Sequence, residues 1–281
     1  MRLRIFHRTR YLYRAAVRDS HNEVRLRPAT DDVERLEFFL LNIQPVVRLR
    51  HFRDPWFNYV HWFDIAEPHT TLSIEAHITL NTSNQYETGL PVGVPFSALD
   101  SMSDDLLAPY VKSSTYVDID REMWKEAIDV RAGSEDIFET AQAIMNHIFT
   151  RWTYVPGSTH AATHMREVMS RREGVCQDFA HVMIGLCRAL GIPARYVSGY
   201  IYNGPADKLR GAQASHAWCE IFVPGKGWFG LDPTNNKLAD EHHAKIATGR
   251  DYADAAPITG QFDGPANATI ALQVELEVTQ G

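Results

Sequence analysis

Apolar and polar residues alternate along short segments in the first 120 residues, which is the pattern of β-strands. The clearest alternation places Leu72, Ile74, Ala76, Ile78 and Leu80 on one face of a strand. Further strands are predicted at residues 9–17 and 22–27 around a polar turn at 19–22, and at 38–41, 46–52 and 56–64. Several short strands separated by turn residues predict an N-terminal β-sandwich-like domain over residues 1–120.

A helical period replaces this alternation in the middle of the chain. Ser134 is the expected N-cap of a helix whose apolar stripe is Ile137, Ala141, Ile144, Met145, Ile148 and Phe149. A second stripe follows Cys176 and contains Phe179, Met183, Leu186 and Leu190. Gly191 and Pro193 predict the end of that helix. Helices followed by a hairpin predict an α+β core over residues 121–250.

The last part of the chain changes character again. Residues 238–247 are polar and predict a helix. Residues 270–278 alternate strictly between apolar and polar side chains, so they predict a strand. We expect residues 251–281 to form an extension whose last strand returns to the N-terminal domain, because its apolar face requires cover.

Composition narrows the class of protein. The chain has 281 residues, 44% of them hydrophobic, and a formal net charge of −7, which argues against a nucleic-acid partner. We find no secretory signal and no apolar run of membrane-spanning length, so we expect a cytoplasmic protein without a membrane partner. Three cysteines, an odd number, suit free thiols in a reducing compartment. Cys176 and Cys187 would lie roughly 16 Å apart on one helix, too far for a disulfide.

Cys176 is the candidate nucleophile. It lies at the predicted start of its helix, after Gly174, where free backbone N–H groups and the positive end of the helix dipole favour a thiolate. Position alone is weak support, because a single buried cysteine is most often an inert hydrophobic residue. Cys187 and Cys219 are expected to be such residues.

A predicted hairpin supplies the base and its orienting partner. Residues 215–223 and 228–232 are the two strands, and residues 224–227 are the turn. His216, Trp218 and Glu220 share one strand face, and the hairpin brings His216 near Asp232. A four-residue turn would, however, place Asp232 opposite Cys219, on the wrong face. We therefore predict an irregularity, either a bulge or a different loop length, between Phe222 and Asp232.

Four sequence blocks resemble bacterial transglutaminase-like proteins. They are GVCQDFAHV at 174–182, PARYVSGY at 193–200, SHAWCEIFVPGKGWFGLDPTNN at 215–236 and GRDYADAAP at 249–257. The N-terminal third also resembles the β-rich domain that precedes the core in one bacterial subgroup. The resemblance implies a papain-like core and a catalytic triad of Cys176, His216 and Asp232.

This resemblance leaves the reaction open, because the family contains cross-linking enzymes, proteases, amidases and inactive relatives. Attack of the Cys176 thiolate on an amide would form an acyl-enzyme, which water or an amine then resolves. We favour hydrolysis of an amide or peptide bond in a protein or peptide substrate, because a cytosolic cross-linker would endanger its surroundings. The alternatives are a protein-glutamine transglutaminase and an inactive peptide-binding module.

No cofactor or metal is expected. A zinc site at Cys176 and His216 lacks enough ligands, and the chain contains no calcium-binding loop motif. His242 and His243, beside Asp240 and Glu241, have no metal-binding spacing, so we expect them on a solvated helix face. His181 is expected to be structural, because it points to the other side of the helix from Cys176.

The surroundings of the predicted triad are less defined. The backbone N–H of Cys176 is the expected first oxyanion donor. The candidates for the second donor or for lining the cleft are Trp152, Tyr154, Gln177 and Trp218. Asp178 is expected to cap the helix or to pair with Arg195. By resemblance, the segment Arg250, Asp251 and Tyr252 reaches back to the cleft.

Overall fold

The N-terminal third of the chain is built from antiparallel strands. The computed structural model describes residues 1–100, 105–159, 163–204, 215–265 and 268–281. The first five strands are β1 (Arg2–Arg27), β2 (Glu34–Gln44), β3 (Arg50–Arg53), β4 (Tyr59–Ile65) and β5 (His69–Thr82). Their order in the sheet is β2-β5-β1-β4-β3. The five alternating residues of β5 are all buried, which confirms the predicted face.

The strand β1 organises this sheet. It was expected as two strands around a turn, but it is one strand of 26 residues. The polar segment is instead an irregularity within it, where Asp19 has φ 47° and the pairing register shifts between Arg18 and His21. Because β1 pairs with β5 in its first half and with β4 in its second, all of these strands join in one hydrogen-bonded sheet. The predicted sandwich is therefore not confirmed.

Two C-terminal strands complete the sheet. They are β13 (Ile258–Asp263) and β14 (Thr269–Gln280), and both pair antiparallel with β1. The strict alternation of residues 270–278 thus corresponds to a strand beside the N-terminal sheet. The alternation did not indicate β13.

The described helices follow β5 in the sequence. They are α1 (Ser97–Asp100), a 3₁₀ turn (Ala108–Val111), α2 (Arg121–Arg131), α3 (Ile137–Arg151), α4 (Met165–Arg171) and α5 (Cys176–Ala189), followed later by α6 (Tyr252–Ala255). Two short parallel strands, β6 (Thr153–Tyr154) and β7 (Glu173–Gly174), flank α4. The N-cap of α3 is Asp136 rather than Ser134, because its carboxylate accepts the backbone N–H of Glu139 at 2.8 Å.

A five-stranded antiparallel sheet packs against these helices. Its strands are β8 (Ala194–Ile201), β9 (His216–Val223), β10 (Gly227–Asp232), β11 (Lys237–Leu238) and β12 (His243–Gly249), in the order β11-β10-β9-β8-β12. The prediction of a helix at residues 238–247 is wrong. That segment forms β11, a turn and β12, because pairing with β8 outweighs the local helical preference.

The N-terminal sheet packs directly on the core sheet. Tyr200 of β8 and Ala244 and Ile246 of β12 belong to the same buried apolar cluster as the face of β5. Asn58 adds two hydrogen bonds to the backbone of Thr248, at 2.7 and 2.8 Å. The N-terminal sheet and the adjacent Asn58 therefore hold β12 in place. None of the helices in the described part of the chain combines the length and apolarity that crossing a membrane requires.

Candidate active site

Cys176 is the first residue of α5, as predicted. Its thiol is partly exposed, whereas Cys187 and Cys219 are buried. The Asp178 carboxylate accepts the backbone N–H of Val175 at 2.8 Å and thereby caps the helix. Burial raises the pKa of Asp178, while the hydrogen bonds from Thr159 and Val175 oppose that shift. Cys176 thus lies at a rigid helix start whose free N–H groups favour negative charge.

The hairpin register decides where Asp232 points. Gly227 lies opposite Val223, so the connecting loop is the three residues 224–226 and not four. The register then continues without a shift to the pair Leu231 and Cys219. The expected irregularity is therefore the loop length, and no bulge is needed. Because Leu231 shares the face of Cys219, Asp232 turns to the opposite face, where His216 lies.

His216 and Asp232 form a buried ion pair. Nε2 of His216 is 2.8 Å from Oδ2 of Asp232, and neither side chain is accessible to solvent. Asp232 also accepts the backbone N–H of Thr234 and the side-chain amide of Asn235, at 2.9 and 2.7 Å. Among the described residues, none provides a hydrogen-bond partner for His216 Nδ1. Because Asp232 holds Nε2, Nδ1 is the ring nitrogen that remains available to Cys176.

The protonation of this pair follows from its contacts. Burial lowers the pKa of His216, but the Asp232 carboxylate and Cys176 outweigh it and raise that pKa to about 10. Burial opposes ionisation of Asp232 as well, yet His216 and His243 hold its pKa far below the usual range. An imidazolium facing Cys176 is the partner that stabilises a thiolate.

A cavity of about 320 Å³ opens over Cys176 and His216. Tyr154 and Gln177, two of the four cleft candidates, line it. Its other polar side chains are Tyr196, Ser198, Ser215 and Tyr252. Trp152 does not reach the cavity. It is buried in the helical core, where the Arg172 guanidinium lies 4.4 Å from its ring centroid.

Trp218 lies behind His216 rather than in the cavity over Cys176. Its ring stacks on the imidazole with 6.2 Å between centroids and 27° between planes. Two glycines border the ring, since a Cβ on Gly199 would lie 2.6 Å from it and one on Gly230 would lie 3.2 Å from Nε1. Trp218 therefore fills a slot that fixes the plane of the His216 ring.

The segment after β12 reaches the cavity through one residue. Tyr252 lines the cavity, and its backbone N–H donates to Nε2 of His181 at 3.1 Å. His181 is fully buried and burial lowers its pKa to about 3, so it is neutral and structural, as expected. Arg250 pairs with Asp254 at 2.7 Å, and Asp251 accepts the backbone N–H of Tyr116 at 2.8 Å.

Two predicted roles for charged residues need correction. Arg195 does not pair with Asp178, because it forms an ion pair of 2.5 Å with Glu220. His243 does not lie on a solvated helix face, because it is the first residue of β12 and is buried. Its Nε2 lies 3.6 Å from Oδ2 of Asp232. No local pattern indicated this contact, because His243 and Asp232 belong to different strands.

Among the residues that the structure describes, two polar clusters have the density of ligand atoms that metal sites show. One is His216, Asp232 and His243, and the other is Asp240, Glu241 and His242. In the first, the 2.8 Å contact between His216 and Asp232 is a hydrogen bond that also leaves Nδ1 for Cys176. In the second, Asp240 pairs with Lys237 at 2.7 Å. We assign both clusters to hydrogen bonding, and the first to a Cys-His-Asp arrangement suited to acyl transfer.

Two family models match the chain. The transglutaminase-like superfamily matches residues 125–233, which contain all three residues of the predicted triad. The bacterial transglutaminase-like N-terminal region matches residues 3–81. The two matches follow each other in the order that the sequence blocks indicated.

Individual relatives extend the comparison. An uncharacterized protein of Mycobacterium tuberculosis is 32% identical over 302 residues, covering 100% of this chain and 94% of that protein. A protein-glutamine gamma-glutamyltransferase of Pseudomonas aeruginosa is 37% identical over 93 residues, covering 32% of this chain and 14% of that protein. The crystal structure of a proposed cysteine protease from Cytophaga hutchinsonii superposes with a TM-score of 0.74 at 24% identity, covering 99% of this chain and 91% of that one.

Proposed function

Because the chain belongs to the transglutaminase-like superfamily, we propose that it is a thiol acyl-transfer enzyme whose nucleophile is Cys176. The observation that carries this proposal is the geometry of His216. Its Nε2 is fixed by Asp232 at 2.8 Å, which leaves Nδ1 for the thiol. This is the division of roles that a base between a nucleophile and an orienting carboxylate requires.

The proposed first half-reaction breaks an amide bond. The Cys176 thiolate attacks the amide carbonyl carbon, and the carbonyl oxygen becomes an oxyanion. The backbone N–H of Cys176, free at the start of α5, is its first donor, and Tyr154 and Gln177 are the side-chain candidates for the second. The C–N bond then breaks as His216 gives its Nδ1 proton to the leaving nitrogen. An amine leaves and a thioester remains on Cys176.

The second half-reaction restores the enzyme. An acceptor loses a proton to His216 as it attacks the thioester, and Cys176 departs as a thiolate. We propose water as the acceptor, so the overall reaction is hydrolysis of an amide or peptide bond in a protein or peptide substrate. Water needs no binding site of its own, whereas transfer to an amine requires a site that holds the amine against the thioester.

Transamidation is the second candidate. Its support is the 37% identity to the Pseudomonas aeruginosa protein-glutamine gamma-glutamyltransferase, over 32% of this chain. Both reactions share the same acyl-enzyme and the same three side chains, so the choice between them rests on the acceptor alone. An inactive peptide-binding module would retain the cavity but form no thioester.

One experiment separates these functions. The protein is incubated with a library of glutamine-containing peptides, with and without an excess of a small primary amine, and the products are identified by mass spectrometry. Hydrolysis gives cleaved or deamidated peptides in both reactions, and transamidation gives the amine adduct as the main product. Cys176→Ala is the inactive control, and Cys187→Ala, a buried cysteine on the same helix, is the matched active control. If peptides bind but no product forms, the result supports the inactive peptide-binding module.

A further inference from the structure

His243 adds a second histidine to the carboxylate of Asp232. It is 6% exposed, and its Nε2 lies 3.6 Å from Oδ2 of Asp232, the oxygen that His216 contacts at 2.8 Å. The two imidazole rings are 6.3 Å apart, and the Trp218 ring packs edge-on against His243 at 5.3 Å. Asp232 thus lies between two histidines, and the acyl-transfer chemistry proposed above uses only one.

The contacts of Nδ1 decide where the His243 proton lies. Nδ1 is 3.2 Å from the backbone nitrogen of Asp240 and 3.2 Å from its Oδ1. If Nδ1 accepts that backbone N–H, the proton of the neutral ring is on Nε2. If Nδ1 donates to the Asp240 carboxylate instead, a bare Nε2 would set its lone pair against the Asp232 carboxylate, so the arrangement requires a second hydrogen on Nε2 and the ring is an imidazolium. In both cases Nε2–H faces Asp232.

The contact between His243 and Asp232 acts through electrostatics. A distance of 3.6 Å is longer than a standard hydrogen bond, but in a buried site an N–H dipole or an imidazolium is weakly screened. Positive potential from His243 offsets part of the negative charge that Asp232 presents to His216. His243 therefore weakens the hold of Asp232 on the His216 proton.

Other charged groups face the same region. Asp240 pairs with Lys237 at 2.7 Å and with His242 at 3.0 Å. His243 also lines a second cavity of about 740 Å³, which Trp218 borders as well. The charged side chains around that cavity include Asp31, Glu34, Arg195, Glu220 and Lys245. Within the part of the chain that the structure describes, Asp232 and Asp240 are the carboxylates that lie within 4 Å of the His243 ring nitrogens.

We propose that His243 is a positioning residue that shares Asp232 with His216 and sets how tightly the carboxylate holds the catalytic imidazolium. The inference rests on the proposed function and deepens it. In this proposal, the buried start of β12 tunes the proton affinity of His216. The N-terminal sheet contributes indirectly, because it packs on β12.

The test measures alkylation of Cys176 by iodoacetate as a function of pH. Iodoacetate is an anion, so it reacts fastest while the neighbouring imidazolium is protonated, and the upper limb of the profile reports loss of the His216 proton. His243→Leu removes the N–H, and we expect the upper limb to move up by about one pH unit, a tenfold rise in proton affinity. His243→Gln keeps an amide N–H at the place of Nε2 and is expected to restore the wild-type profile.

The matched control is His242→Gln. His242 contacts Asp240 at 3.0 Å and stacks on Tyr202, but it makes none of the described contacts with Asp232, so its profile should equal the wild type. Circular dichroism and urea unfolding check that each variant is folded. The proposal is overturned if His243→Leu leaves the upper limb in place or lowers it, or if Gln and Leu give the same profile.

Nitrogen-15 NMR of the histidine rings in the unmodified protein gives a second answer that needs no variant. Nε2 of His243 is expected to carry a hydrogen across the range in which His216 titrates, and a bare Nε2 would refute the inference. If the proposed function itself is wrong, the outcome differs: the wild-type protein would show no selective, His216-dependent alkylation of Cys176.

Discussion

Leu231 lies directly opposite Cys219 in the β9–β10 hairpin, and this pairing turns the next residue, Asp232, toward His216. A loop one residue longer would reverse the face of every side chain in β10. The three-residue loop therefore sets the candidate triad, because it selects which face of the hairpin carries the carboxylate.

Iodoacetamide should label Cys176 in the native protein and spare Cys187 and Cys219. Cys176 is partly exposed beside His216, whereas the other two thiols are fully buried. His216→Ala should slow the labelling of Cys176, since it removes the imidazolium that stabilises the thiolate. Mass spectrometry of digested protein locates the label. Equal labelling of all three cysteines in folded protein would contradict this arrangement.

Asp232→Asn should lower the rate of acyl transfer by roughly 10³- to 10⁴-fold, the cost of losing the orienting aspartate in a triad. It should also shift the pH dependence. Asp232 opposes the effect of burial and raises the pKa of His216 to about 10, so the neutral amide lets that pKa fall toward or below 6.5. The upper limb of the activity profile then moves to lower pH. If the upper limb of the profile does not move, Asp232 does not raise the pKa of His216.

Gly199→Ala should destabilise the protein, because a Cβ there would lie 2.2 Å from the carbonyl oxygen of Ala244 and 2.6 Å from the Trp218 ring. Overpacking of this kind costs about 1–3 kcal/mol. Gly185→Ala is the matched control, since its Cβ would meet only the flexible ends of Met123 and Met165. Urea unfolding compares the two variants. If Gly199→Ala lowers the free energy of unfolding less than Gly185→Ala does, the packing around the Trp218 ring is looser than the structure indicates.

Glu34→Gln should change how stability depends on pH. Burial raises the pKa of Glu34 to about 8 although Lys245 opposes the shift, whereas the unfolded chain releases the proton near 4.5. The folded state therefore binds the proton more tightly, and this contribution is present below pH 4.5 and lost as pH rises through 8. Glutamine does not titrate. Between pH 5 and 8.5, the free energy of unfolding of the variant should therefore rise relative to that of the wild type by on the order of 4 kcal/mol.

Glu220→Gln should change the pH dependence of stability in the opposite direction, although Glu220 and Glu34 both contact Lys245. Burial opposes ionisation of Glu220, but Arg195 and Lys245 outweigh it and lower its pKa to about 2. Its contribution to stability is present above pH 4.5 and lost as pH falls toward 2, so this variant should be less stable than the wild type at neutral pH. Unfolding curves at several pH values measure both variants. Parallel curves for Glu34→Gln and the wild type would disprove the buried carboxyl assignment.

Much of the architecture follows from local sequence. The alternation in β5, the start of α5 at Cys176 and the stripe of α3 are set by the backbone periods of strands and helices, which each segment carries by itself. The four sequence blocks indicated transglutaminase-like proteins, and the family matches confirm that resemblance. Local chemistry also placed Cys176, His216 and Asp232 on elements that the fold brings together.

Contacts between distant segments were decided only by the tertiary structure. Residues 238–247 have a helical composition, yet they form strands because β8 and the N-terminal sheet supply hydrogen bonds and apolar cover. The same packing buries His243 beside Asp232 and brings Tyr252 to the cavity through His181. Local sequence patterns were sufficient to identify the candidate nucleophile, the candidate base and the carboxylate that orients the base. The register of the hairpin and the second histidine depend on loop length and on non-local packing, which no local period encodes.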